Sequence, residues 1–320
     1  MSAQAGQPAR RGGLPWQRWT ASERSALKWA LVFLSPWIVG FVIFTAGPML
    51  WSLWLSFTNY DPLRGRADFI GLDNYITLVG DARVTLALFN TVYFTLLYVP
   101  LSLSFALLLA LILNRIGGFS AGFFRTVFYL PNVTPAVAVG TLFLLVLNGQ
   151  SGLLNQFLGL IGIQGPSWLN DPAWVKNGIV IMMLWSVGGT VVIYFAALRN
   201  VPGELYEAAK MDGANPWQQF RNITVPMISG AIFFTLIINT IASLQLFTEV
   251  YTMFYGGQTG QTAGTERAAL FYVIYLFRNA FEFFRMGYAS ALAWVLFIVI
   301  MIITFIQIRL SKRWVYYEGE

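Results

Sequence analysis

Six polar side chains stand at helical spacing inside otherwise apolar stretches. Thr235, Asn239 and Ser243 recur at i, i+4 and i+8, and Ser186, Thr190 and Tyr194 do the same, so each trio shares one face of its helix. Uncharged hydroxyls and an amide suit a neutral, polyhydroxylated solute, because each can donate and accept hydrogen bonds. The same groups also bind helices to one another in lipid. Spacing alone leaves both uses open. Gln245 falls on a different face and fits the second use. Trp51, Trp54, Trp294 and Phe297 fit an interfacial belt or packing better than a sugar platform.

Covalent and metal chemistry find little to work with. The chain has neither cysteine nor histidine, which removes thiolate nucleophiles, Cys/His zinc sites and any Ser-His-Asp triad. No glycine precedes a lysine, so the Gly-Lys phosphate loop is absent and ATP is not held by that means.

Helices that cross a membrane must position the polar faces. Hydrophobic residues make up 57% of the chain and charged ones 11%, against roughly 25% charged in a soluble domain. Charge-free runs separate Lys28 from Asp61, Arg83 from Arg115, Arg125 from Asp171, Lys176 from Arg199, Arg221 from Glu249 and Arg285 from Arg309. Each exceeds the about 20 residues that span a bilayer as a helix. The third run is longer than one span needs, but its second half, from Asn148 to Asn155, is too polar for another. The expectation is an all-α membrane protein with six spans, roughly 29–57, 86–113, 126–147, 178–198, 227–247 and 286–308.

Within that frame, Pro36 and Pro48 should kink or break the first span, and Pro131 and Pro135 open the third. The first run is too long for a cleavable signal sequence and stays as a span. Segments 153–163 and 268–277 are apolar but too short to cross, and the first of them should lie at the interface or re-enter. No carboxylate falls inside a span. That argues against an ion-coupled secondary transporter, the alternative reading, which normally keeps a charge in the membrane.

With the N-terminus inside, 13 of the 20 Lys and Arg face inward, together with only 6 of the 14 Asp and Glu. This is the positive-inside asymmetry, and it places both termini in the cytoplasm. The net charge of +6 is thereby explained by topology, and no nucleic-acid partner is indicated. Residues 1–28 read as an inner tail, disordered and anchored by Trp16 and Trp19; 29–313 as the membrane domain; 314–320 as an inner C-terminal tail.

Between spans four and five lies a charged stretch, Pro202–Pro226, unlike anything around it. Gly203–Met211 is rich in helix formers, with Glu204 and Glu207 toward its start and Lys210 toward its end, as the helix dipole favours. Gly213 is suited to a left-handed stop, and Asn215-Pro216 to the cap and first turn of a second short helix. Two short helices at an angle make a knob, and a knob outside the bilayer suits a socket on a partner.

Glu207-Ala208-Ala209, Gly213, Ile223 and Val225-Pro226 resemble, in type and spacing, the EAA loop of ABC importer permeases, with Val225 where leucine is usual. Phe69-Ile70-Gly71-Leu72-Asp73-Asn74-Tyr75 resembles a motif of the larger permease subunit in sugar importers of the maltose and glycerol-phosphate type. The resemblance implies a six-span permease subunit in a bacterial inner membrane, with the loop as a cytoplasmic coupling helix carrying Glu207, Ala208, Ala209, Asp212 and Gly213. It also implies as partners a second permease, a dimer of ATPase subunits that hold ATP-Mg, and an extracytoplasmic sugar-binding protein. The permease itself would bind no cofactor and be no enzyme. A sugar or polyol would pass through a midplane cavity by alternating access.

Overall fold

The computed structural model describes residues 20–116, 118–255 and 267–316. Trp16 and Trp19, the glycines of 256–264 and the final four residues lie outside them. The regular secondary structure of the described residues is helical, apart from isolated bridges pairing Thr58 with Phe69 and Asp61 with Arg66. The chain divides into two units, residues 1–54 and 55–320.

The first unit is a run of helix, α1 (Ala21–Phe41) and α2 (Gly47–Leu55) joined by a wide turn over Val42–Ala46. The expected break at Pro36 does not occur, for α1 runs through it. At Pro48 the helix widens instead of breaking. Proline offers no N–H and collides with the carbonyl four residues back, so one turn expands and the Gly47 N–H bonds the Val42 carbonyl five residues earlier. None of this helix's apolar window is buried within the chain, as befits a surface made for lipid.

The second unit continues with α3 (Asp73–Gly80), α4 (Ala82–Ile116), α5 (Gly118–Val133), α6 (Ala136–Val146), α7 (Leu153–Leu160), α8 (Val175–Trp185) and α9 (Gly188–Arg199). After these come α10 (Gly203–Met211), α11 (Pro216–Gln219), α12 (Val225–Met227), α13 (Ser229–Leu244), α14 (Thr248–Phe254), α15 (Tyr272–Phe277) and α16 (Met286–Ser311). Among the described residues four helical stretches are long and apolar enough to cross a membrane, and up to six if two bent pairs each count as one.

The bent pairs correct the picture of straight spans. α5 and α6 meet at 99°, and α8 and α9 at 52°. The first bend falls at Thr134-Pro135, where proline drives the preceding residue out of helical conformation. The helical stretch expected as the fifth span reaches past the end of its charge-free run. It continues from α13 through α14 to Phe254, so Glu249 falls within this candidate span rather than beyond it.

α4 is the common support. Near its start Val84, Ala87 and Phe94 enter one core with α8, α16 and the segment 268–275. Farther along, Ala106 and Ala110 pack with Val191, Tyr194 and Leu198 of α9 in a second. The small Ala side chains, one turn apart, let the two backbones approach. Segment 268–275 is buried: Ala269, Phe271 and Ile274 have no exposed surface. Two polar groups of α4 hold it there. Asn90 Nδ2 donates to the carbonyls of Arg267 and Leu270, and Thr91 Oγ1 accepts from the Tyr272 N–H. α7 does expose Leu153, Phe157 and Leu160, as an interfacial helix would.

The Phe69–Tyr75 motif turns out to be a splint. Gly71 has φ +63°, which turns the chain so that Asn74 Nδ2 donates to both the Ser56 and Thr58 carbonyls at 2.8 Å. Tyr75 Oη pairs with Ser56 Oγ at 2.7 Å.

Asp81, between α3 and α4, ties α15 and α16 to this corner by accepting hydrogen bonds from the Tyr275 and Tyr288 hydroxyls. Burial pushes the Asp81 carboxyl up, but these bonds, the Arg83 amide and the Arg83 charge outweigh it and hold the carboxyl below its usual value of 3.8. A lowered folded-state pKa contributes stability above the unfolded value and loses it as acid carries the pH down through the folded value. Asp81→Asn should therefore cost on the order of 1 kcal/mol of stability near neutrality, since the group is partly solvated, and so lower the thermal midpoint. It should also flatten the loss of stability below about pH 4. Unfolding curves of both proteins from pH 3 to 7 check this, and parallel curves would remove Asp81 from the account.

Candidate functional site: a polar cavity and the exposed knob joined to its walls

The knob forms as its residues dictate. Pro202 sits at the N-cap of α10. Gly213 has φ +79°. The Ala214 N–H reaches the Ala209 carbonyl at 2.9 Å and the Gly213 N–H the Lys210 carbonyl at 3.1 Å, the double closure of a Schellman stop. Asn215 caps α11 reciprocally with Gln218, at 2.9 and 2.8 Å. Gln218 escaped the sequence reading, although its place three residues after a capping Asn is a recognisable signal.

Past α11 a second wide turn, Phe220–Thr224, precedes Val225-Pro226, for the reason given at Pro48. Tyr206 Oη pairs with Thr224 Oγ1 at 3.0 Å and so fastens α10 to the chain entering α13. Glu207, Ala208, Asp212 and Gly213 are exposed and Ala209 is half-buried. Beside them Met211 is 89% and Trp217 66% exposed, large apolar surface on a charged projection.

The knob's two flanking helices, α9 and α13, wall a cavity of about 470 Å³ that Ser186, Thr190, Thr235 and Asn239 line. Ser186 reaches it because it stands at the bend between α8 and α9. Asn239 Nδ2 donates to the Thr235 carbonyl at 2.8 Å and lies 3.5 Å from Thr190 Oγ1.

Tyr194 and Ser243 are not among the lining residues. Tyr194 is fully buried, its hydroxyl 2.7 Å from Thr235 Oγ1, and it bridges α9 to α13. Ser243 Oγ donates to the Thr240 carbonyl. At 100° per residue, each four-residue step advances a face by about 40°, so two steps carry Ser243 well round from Thr235. Gln245 is exposed.

The lining also contains groups that periodicity could not assign. Asn132 and Thr134 come from the bend between α5 and α6, Tyr98 from α4, and Glu249 from α14. Glu249 withdraws the sequence argument against an ion-coupled transporter, since a carboxylate does line the cavity.

Comparison with known proteins makes that choice. Residues 102–316 match the family described as binding-protein-dependent transport system inner membrane component. The probable ABC transporter permease protein YesP of Bacillus subtilis is 40% identical over 90% of this chain and 92% of its own. The lactose transport system permease protein LacF of Rhizobium radiobacter is 36% identical over 88% and 93%. A bacterial alginate ABC transporter, solved in complex with an alginate pentasaccharide-bound periplasmic protein, superposes with a TM-score of 0.77. It is 26% identical, covering 93% of this chain and 98% of the other. The chain is thus a multi-pass transport subunit rather than an enzyme, and it belongs to the family of binding-protein-dependent transport system inner membrane components.

Proposed function

We propose that this permease conducts a sugar or polyol, and that the knob is the cytoplasmic coupling helix through which a separate ATPase dimer, holding ATP-Mg, drives it. The observation that carries the reading is continuity. The helices that present Thr190 and Asn239 to the cavity are the ones the knob joins. A push on Met211 and Trp217 from an ATPase cleft would travel through the α10 clasp at Tyr206 and Thr224 into α9 and α13. Two discrete states biased by ATP are then enough for alternating access.

A second permease completes the path, and an external binding protein delivers the solute. The bent pairs count as one span each, giving six spans with both termini inside, as the basic residues favour.

Asn239 tests the path. Its amide can donate to and accept from a sugar hydroxyl, and Leu keeps its bulk. Asn239→Leu should lower uptake about tenfold, the cost of leaving a solute hydroxyl unpaired, and change the relative uptake of two sugars. Complex yield and basal ATPase activity should stay near normal. A loss confined to yield, with sugar preference unchanged, would make Asn239 helix glue.

A further inference from the structure

Among the described residues, Glu249 is the one charged residue lining the cavity. No Lys or Arg among the described residues pairs with it: the ion pairs there join Arg64 to Asp61 and Arg278 to Glu282. Its position is built in. Gly140 of α6 faces α14 so closely that an added β-carbon would stand 2.9 Å from the Glu249 carbonyl oxygen and 3.0 Å from Thr252 Cβ. Only a glycine lets α14 seat deeply enough to present Glu249 to the cavity that Asn239, Thr190 and Asn132 also line.

We propose that Glu249 sets the charge selectivity of the path, accepting hydrogen bonds from the hydroxyls of neutral glycosides and turning away uronates and other anionic sugars. This rests on the cavity being the sugar path. Around it the described lining residues offer amides and hydroxyls, which can pair with a neutral sugar, but no cation to neutralise a second carboxylate. An ionised carboxylate has only acceptor sites, and sugar hydroxyls supply donors to them. A solute carboxylate brings no donor and adds like charge at short range, where the low polarisability of the walls magnifies repulsion. Discrimination then comes from a built-in repulsion as much as from attraction.

The test uses proteoliposomes containing the whole importer with its binding protein, carrying the wild-type chain, Glu249→Gln or Glu249→Asp. The probes are two matched pairs, galactobiose with digalacturonate and lactose with lactobionate. Wild type should favour the neutral member of a pair by tenfold or more. Glu249→Gln, the same size without the charge, should narrow that ratio on the order of tenfold through a gain in uptake of the acid. Glu249→Asp should keep it, and all three should assemble in equal yield.

The same binding protein serves every variant, so a change in the ratio belongs to the permease. An unchanged ratio in Glu249→Gln, no uptake of either acid by that variant, or wild-type uptake of acids equal to that of neutral sugars overturns the proposal and leaves the sugar path standing. Failure of the wild type to take up any of the four sugars counts against the sugar path itself.

Discussion

Gly213→Val is expected to leave the permease folded, inserted and assembled while cutting ATP-driven uptake on the order of tenfold. Gly213 holds φ +79°, and nothing lies within 4 Å of where its β-carbon would stand. Any penalty is therefore in the backbone and not in a clash. A side chain in left-handed conformation costs about 1–2 kcal/mol, and branching at the β-carbon worsens it.

The two hydrogen bonds that close α10, from Gly213 to Lys210 and from Ala214 to Ala209, would open to relieve that strain. The angle between α10 and α11 would then be lost, and with it the shape offered to the ATPase. A loss of about 1.4 kcal/mol in docking is a factor of ten. Because the cause is conformational, the series should be graded: Gly213→Asn mild, since asparagine tolerates this region, Gly213→Ala intermediate and Gly213→Val worst. Uptake, complex yield and sugar-stimulated ATPase activity in the three variants decide it. Normal coupling in a well-assembled Gly213→Val protein would remove the turn from the transmission path.

Gly188→Ala should do something different and more destructive. Gly188 opens α9 at its bend with α8. A β-carbon there would overlap the Phe128 carbonyl oxygen and stand 2.8 Å from Tyr129 Cα, both backbone atoms of α5. Backbone cannot rotate away as a side chain can, so α5 and α9 would have to separate. Overpacking of this kind costs about 1–3 kcal/mol and at times more, and small residues are what permit such close helix contact in membranes.

The displacement would reach Gly189 and Thr190, which line the cavity. Yield of folded protein and its thermal midpoint in detergent should both fall sharply. Gly230 of α13 supplies the control. It has nothing within 4 Å, so Gly230→Ala should be neutral or slightly stabilising through helix propensity. Equal midpoints for Gly188→Ala and wild type would mean the α5–α9 contact is looser than its geometry states.

Much of this protein was legible in one dimension. Local rules sufficed for the knob, because a helix of good formers, a left-handed glycine and an Asn-Pro restart act over a few residues and need no distant partner. The long apolar runs of α4, α13 and α16 were legible too, since lipid imposes length and hydropathy on every helix that crosses it.

What the residues by themselves could not determine is where a helix bends and what lies across from it. The residues around Pro135 allow a break but not its 99° angle, and nothing in α6 alone says that α14 seats against Gly140. The burial of 268–275 depends on Asn90 and Thr91, some 180 positions away in sequence. Periodicity put Ser243 and Tyr194 on polar faces, but a face is only a direction. Which part of it meets a cavity, a neighbouring helix or lipid is settled by the helices packed around it. For the same reason Glu249, beyond the end of a charge-free run, read as external until α14 carried it back to the cavity wall.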